Sequence, residues 1–329
     1  MSKSFPLPRR RLLAAAGAAA FSPVAGWSQG AFPSRPITML LPLAVGSAGD
    51  VALRVVGQKM ADNLRQGVVV ENLPGAAGLL GTERVVRAPA DGYLIGGLGD
   101  SILNYAINLA AKPSFHPITD LEPVALVATI PWTLAVGSGF GPKTLQEFIA
   151  HARANPGKVD YASTGNGSAS HIGMALFASQ ARLQLQHIPY KGATPAVNDV
   201  AGGQVPAVLS AVSVVLPFLK SGKMVALGVP LDRRSPLLPD VPTFAEAGFP
   251  EFQFTTWVAL FAPKGTPRPV IEKLNAETNR AVQDPQVRER LLALGLEPRT
   301  GTPEELGRMN AAGHARVAAI IRQNNIKAD

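Results

Sequence analysis

Cysteine is absent from the 329 residues. That excludes disulfides, thiolate nucleophiles and cysteine-bound metals. The five histidines, His116, His151, His171, His187 and His314, are dispersed without ligand-type spacing, so no metal site is expected. Charged residues make up 16% and aromatics 6%. The basic residues are scattered rather than arranged in a stripe with interleaved aromatics, which argues against a nucleic-acid partner. No Gly-x-Ser-x-Gly elbow occurs, and Ser168 with His171 forms an i,i+3 pair at a helix start, where the histidine reads as a loop brace. No catalytic residue is therefore expected, although a hydrolase pairing of Ser168 with His171 or His187 is the enzymatic alternative. Gly97-Leu-Gly99 lacks the third glycine of a dinucleotide fingerprint, and no cofactor is expected.

Hydrophobic residues account for 47% of the chain, enough for a sizeable core divided into two domains. Residues 1–31 read as an export signal: Arg9-Arg10-Arg11, then an apolar run from Leu12 to Phe21, then small residues with a cleavage point between Ala25 and Ala31. The run is shorter than the ~20 residues a bilayer span requires. The arginines suit either the Tat or the Sec route. Without Lys3, Arg9, Arg10 and Arg11 the formal charge falls from +8 to +4, which is compatible with small anionic ligands.

The chain is organised around Tyr161-Ala-Ser-Thr-Gly-Asn-Gly-Ser-Ala-Ser-His171, a strand, a glycine loop and a helix start. Gly165 and Gly167 permit positive φ, and Ser163, Thr164, Ser168 and Ser170 place hydroxyls beside the unpaired N–H groups of the helix's first turn. Such a turn forms an anion cradle. An ordinary strand-to-helix turn capped by Ser168 explains the same residues. A second unit of this kind comes earlier. The apolar run Ile37 to Leu43 predicts a buried parallel strand, Ala44 to Gly49 a loop, and Asp50 the N-cap of a helix to about Gln66.

Further strands are predicted at Val68–Leu73, Tyr93–Leu98, Leu185–Tyr190, Pro206–Ser210 and Met224–Val229, with helices between them. This alternation implies a parallel sheet covered by helices. Glu122–Ile130 with Trp132–Val136, and later Phe252–Phe261, are long apolar β-prone runs read as two crossings between domains. Helix starts are predicted at Thr144-x-x-Glu147 and Thr302-x-x-Glu305 as capping boxes, at Asp284-Pro285, and at Thr266-Pro267 with Thr266 as cap.

With these landmarks placed, the sequence resembles the Bug family, the substrate-binding proteins of tripartite tricarboxylate transporters. The resemblance rests on Val69-Val-Glu-Asn72 with Pro74-Gly75-Ala76, Ala90-Asp-Gly-Tyr93, Tyr161-Ala-Ser163 with Gly165-Asn-Gly-Ser168 and His171, Pro189-Tyr-Lys-Gly192, Leu238-Pro-Asp-Val-Pro-Thr243 and Ala262-Pro-Lys-Gly-Thr-Pro267. It implies an α/β fold of the two-lobed, type II-like periplasmic binding protein class. Two parallel-rich sheets flanked by helices are joined by two crossing hinge strands. Lobe 1 would comprise residues 32–130 and 253–329, and lobe 2 residues 131–252.

It also implies a periplasmic monomer that closes on a small carboxylate for membrane transporter subunits, with a signalling sensor as the alternative partner. Matching positions assign ligand binding to Leu43, Gly46, Ser47, Ala48, Gly49 and Asp50 in the first loop. Asp100 and Ser101 come from a third loop, Gly99 to Ser101. Ser163, Gly165, Asn166, Gly167, Ser168 and His171 come from the glycine loop. Leu43 stands where the family usually has Phe, Ser47 and Ala48 where it has glycines, and Gly49 where it has a hydroxyl residue. Pro206 replaces a usual Asp, and Ser210 to Ser213 lacks an acid that would pair with an ammonium group. A plain mono- or dicarboxylate is expected.

Overall fold

The computed structural model describes residues 32–323. The export signal assigned to residues 1–31 lies outside them. From Arg35 onward the described residues form one compact unit.

Strand β1 (Ile37–Leu41) runs parallel between β2 (Val68–Asn72) and β3 (Leu94–Gly99). Its continuous apolar sequence suits this central place, and Ile37, Met39, Leu40 and Leu41 are fully buried. On the other side of β3 lies β9 (Thr255–Pro263), antiparallel to it, and next to β9 lies β4 (Leu121–Gly137). The first part of β4, Leu121 to Pro131, pairs with β9, and Ala128 and Thr129 also pair with the short β10 (Glu297–Pro298). From Trp132 onward β4 pairs with β7 (Ala207–Ala211) and β8 (Met224–Gly228). Beyond β7 stand β5 (Val159–Ser163) and β6 (Leu185–Pro189), parallel to each other, with β5 parallel to β7.

The two apolar runs expected around Pro131 thus form one strand. Pro131, which has no N–H to donate, sits where β4 changes partner from β9 to β7, a place a ladder tolerates it. The second long run enters the sheet at Thr255 rather than Phe252. Phe252 and Phe254 instead join an aromatic cluster: Phe252 lies 4.7 Å from Phe244, and Phe254 lies 5.2 Å from Trp132. Trp132 Nε1 donates to Thr256 Oγ1 at 2.8 Å, tying β4 to β9.

Register sets the direction of every parallel strand. Gly99, the last residue of β3, pairs with Val258, which pairs with Ala128 of β4. Ala211, the last residue of β7, pairs with Trp132. These β4 positions are four residues apart, ~13 Å at strand rise. The carboxyl ends of β1 and β3 therefore face those of β5 and β7 along β4.

Helices cover both faces: α1 (Ala48–Leu64), α2 (Leu79–Val86), a π-helical turn (Ser101–Ala106) continuing into α3 (Ile107–Leu109), α4 (Leu145–Ala154), α5 (Ala169–Ala181), α6 (Ala193–Ala201), α7 (Val212–Lys220), α8 (Arg268–Gln283), α9 (Pro285–Ala293) and α10 (Pro303–Gln323). One core gathers Leu40, Leu98, Trp257, Phe261 and Leu306, and another Ala162, Val197, Val208 and Val215. The capping boxes form as expected: Thr144 Oγ1 accepts from Glu147 N at 3.2 Å and Thr302 Oγ1 from Glu305 N at 3.2 Å. Asp284 caps α9 through Gln286 and Val287 N–H. At α8 the helix starts one residue late. Pro267 is the cap residue, and Thr266 Oγ1 donates to Pro263 O at 2.8 Å instead of capping.

Candidate functional site

Behind β1 the chain turns through Pro42 to Ser47 into α1. Ser47, extended at φ −65° and ψ 158°, is the N-cap, and its Oγ accepts from Asp50 N at 3.3 Å. This corrects the expected cap at Asp50, which is instead the third residue of the helix. The pattern Ser-x-x-Asp leaves the acidic side chain free to reach back, as in a capping box. Asp50 Oδ2 accepts from Gly46 N at 3.0 Å, and Oδ1 accepts from Arg54 Nε and Asn72 Nδ2, both at 3.0 Å. Asn72 Nδ2 also donates to Leu43 O at 3.0 Å, so the end of β2 holds the loop as well. Burial pushes the Asp50 carboxyl up, but the bonds from Arg54, Gly46 and Asn72 outweigh it and hold the group below its ordinary value. The carboxylate is 2% exposed and turned inward. Leu43, Ser47 and Ala48 are half-buried, Gly49 is buried, and the loop tip from Ala44 to Gly46 is exposed. The Ala48 and Gly49 N–H groups belong to the helix's first turn and have no intrahelical acceptor.

An Asp50→Ala change strips the acceptor from three donors and is expected to cost about 2 kcal/mol, since hydrogen bonds to charged groups contribute about 1.5–3 kcal/mol each and water replaces part of that at the half-exposed Arg54. The lowered pKa means this stability is present above the ordinary aspartate range and is lost as pH falls through the folded value. Thermal unfolding is expected to show a gap between variant and wild type at pH 7 that closes toward pH 2. A gap that persists undiminished in acid would contradict the charge-based role.

The glycine loop, Thr164 to Ser168, joins β5 to α5. Ser168 is the cap, at φ −71° and ψ 161°, and accepts from His171 N at 3.3 Å. Gly165 and Gly167 take φ of +126° and +71°, which L side chains rarely adopt. Their N–H groups point into the protein: Gly165 N donates to Ser163 Oγ and Gly167 N to His171 Nδ1, each at 3.1 Å. The glycines thus supply conformation, and their own donors are already engaged. Ser170 Oγ accepts from Thr164 N at 2.9 Å and lies 3.1 Å from Thr164 Oγ1 and 3.0 Å from Ser168 Oγ. The loop exposes Asn166 and leaves Thr164 and Ser168 half-buried, while Ala169 and Ser170 are buried and their first-turn N–H groups have no intrahelical acceptor.

The sequence offered His187 as a hydrolase partner of Ser168, whereas the structure places it against Ser163. It stands on β6 opposite Tyr161, stacks on His171 with centroids 3.9 Å apart and planes 4° apart, and places Nε2 2.6 Å from Ser163 Oγ. Placing β5 and β6 in parallel register was the signal that would have found it. Ser163 is fully buried with its Oγ beside His187, and Ser168 Oγ accepts from His171 N and lies 3.0 Å from Ser170 Oγ. Among the described residues, no group of three His, Cys, Asp or Glu could hold a metal ion.

The expected third loop is a helical turn. Gly99 lies so close to β9 that a Cβ would sit 2.6 Å from Trp257 O, and Asp100 already has helical angles, so the chain coils at once. Ser101 is half-buried, whereas Asp100 is 2% exposed. Asn104 Nδ2 donates to Asp100 Oδ1, and Gly313 of α10 covers that oxygen, where a Cβ would come within 3.6 Å. Burial pushes the Asp100 carboxyl up to about 6, against the Asn104 hydrogen bond and the Arg316 charge.

Residues 52–326 match the tripartite tricarboxylate transporter family receptor. The chain is similar to a UPF0065 protein in the tcbD-tcbE intergenic region of Pseudomonas sp. (strain P51), at 38% identity over 91% of this chain and 89% of the relative. It is also similar to protein BugT of Bordetella pertussis, at 37% identity over 90% and 91%. Among solved structures it resembles the periplasmic binding protein BugD, at TM-score 0.82 and 33% identity, covering 90% of this chain and 99% of that one. MatC from Rhodopseudomonas palustris with bound malate matches at TM-score 0.82 and 33% identity, covering 88% and 100%. R. palustris Rpa4515 with adipate matches at TM-score 0.85 and 28% identity, covering 90% and 99%.

Proposed function

The chain belongs to the tripartite tricarboxylate transporter receptor family, and from that premise we propose that it is a periplasmic receptor that captures a small carboxylate between two lobes. The lobes would be residues 32–130 with 253–329, and residues 131–252, hinged where β4 and β9 cross. The observation that carries this reading is the opposition of two strand-to-helix turns. The α1 turn ends one parallel set, the α5 turn ends the other, and both sets point at the crossing. Each presents first-turn N–H groups and the positive end of a helix dipole, worth about 0.3–1 kcal/mol toward an anion at an exposed site and up to about 2 when partly buried.

An acid in the cleft would accept from Ala48 and Gly49 N–H on one side and from Ala169 and Ser170 N–H on the other, with Ser47, Thr164, Asn166 and Ser168 around it. Leu43 would supply apolar wall. Asp50 and His171 act behind the loops, each accepting from a backbone N–H that would otherwise be misdirected. Contacts made only when both sides engage would shift the population toward the closed form. The malate and adipate held by the two structural neighbours are dicarboxylates, in keeping with a plain mono- or dicarboxylate here. Family members and these neighbours are binding proteins, and the same non-catalytic role is proposed for this chain.

Thermal shift of residues 32–329 against mono-, di- and tricarboxylates, amino acids and aromatic acids tests the reading. A ligand at 100 times its Kd stabilises by about 2.7 kcal/mol, a rise of roughly 5–10 °C. One acid class is expected to give that rise, and Ser168→Ala is expected to weaken its affinity about tenfold, as loss of a cap loosens the first turn. A flat response to every acid would overturn the proposal.

A further inference from the structure

Helix α5 carries the glycine loop at its start, but its later turns border a different space. A cavity of about 510 Å³ lies between α5, α10, the segment before β9 and the π-helical turn, within the size range of small-molecule sites. Its walls are apolar on opposite sides: Ile172 and Leu176 one turn apart on α5, Ile320 on α10, and Phe254 from the crossing segment. Two polar groups on these walls have no partner of their own. Tyr105 is 3% exposed, and its hydroxyl makes no hydrogen bond among the described residues. Arg316, one turn before Ile320, is exposed and forms no ion pair among the described residues.

We propose that this groove is a second binding site, for a monocarboxylate with an apolar body. Its carboxylate would take Arg316 as counter-charge and the Tyr105 hydroxyl as donor, and its body would lie between Ile172, Leu176, Phe254 and Ile320. Tyr105 lines the cavity, and a ligand oxygen there would accept a hydrogen bond from its hydroxyl. Burial and the Asp100 charge push the Tyr105 phenol well above its ordinary value, so it remains a donor at neutral pH, and Arg316 stands near enough to act on it. Glu251 also borders the space and disfavours a second negative group, which selects a monoacid over a diacid. The inference does not depend on the receptor reading, since none of these residues belongs to either loop.

Octanoate is the probe, titrated calorimetrically into residues 32–329. Wild type is expected to bind one octanoate saturably. Arg316→Gln and Tyr105→Phe should each weaken it about tenfold, the loss of one charge-assisted or neutral hydrogen bond in a partly buried site. Glu251→Gln should strengthen it, and Ser168→Ala should leave it unchanged. Arg316 is exposed, so its variant is expected to melt with wild type. Non-saturable binding, equal affinity for 1-octanol, or displacement of octanoate by the acid found in the thermal panel would overturn the proposal. The last outcome would place octanoate between the loops instead.

Discussion

A Gly167→Val chain is expected to lose about 100-fold in affinity for the panel acid while keeping its fold. Gly167 sits at φ +71°, and a Cβ there would stand 3.0 Å from Leu109 Cδ1. The left-handed region costs an L residue about 1–2 kcal/mol, and a branched side chain more. Leaving that conformation breaks the bond from Gly167 N to His171 Nδ1, about 1 kcal/mol more. Together these approach 3 kcal/mol, or about two decades in affinity. The cost falls on the bound state. Thr164 to Asn166 are half-buried or exposed and give an empty loop room to relax, but binding needs the native shape that holds the Ala169 and Ser170 N–H groups. Gly167→Ala, with no branch to accommodate, is expected to lose about tenfold. Calorimetric titration and thermal melting of both variants separate the two effects. Affinity within threefold of wild type for the valine variant would mean that this loop takes no part in binding.

The second large effect is a gain. Asp100→Asn is expected to stabilise the protein above pH 6. The native carboxyl titrates at about 6 because burial penalises its charge, against about 3.9 in an unfolded chain. Between those values the native state holds more protons than the unfolded one, so this group makes stability fall as pH rises from about 4 to about 6 and stay lower beyond. The difference corresponds to about 3 kcal/mol at most. Asparagine keeps the shape and an oxygen for the Asn104 amide, without the charge. At pH 8 the variant is expected to melt several degrees higher, at about 2–4 °C per kcal/mol for a chain of this size, and the two curves should meet near pH 4. A variant less stable than wild type at pH 8 would show that the carboxylate is held by more than Asn104. Ligand affinity measured on the same variant decides whether Asp100 also contributes to binding, as its position in the family pattern implies.

The two helix starts were legible because their chemistry is local. Gly165, Gly167 and Ser168 lie within four residues, and the loop they build is of the kind their types predict. Misassignment of the first cap had a local cure, since Ser47-x-x-Asp50 is itself a capping signature and Asp50 uses its carboxylate to hold Gly46 rather than Asp50's own turn. The two long strands were visible as apolar β-prone runs. Phe252 and Phe254 looked like strand because aromatic residues favour strands, but packing against Phe244 and Trp132 decided their place. Asp100 could not be read locally. The residues that bury and modulate it, Gly313 and Arg316, lie more than 200 positions away on α10, and a glycine-aspartate-serine run reads as a loop until that helix covers it. The pairing of His187 with Ser163 was not legible because only strand register brings the two together.

The most direct test of the account follows backbone amides by NMR during titration with the acid identified in the thermal panel. Ala48 and Gly49 in one turn, and Ala169 and Ser170 in the other, are expected to shift together along one binding curve with a single Kd. Shifts confined to one turn, or amides in both turns that stay in place while the acid binds, would contradict capture between the two loops.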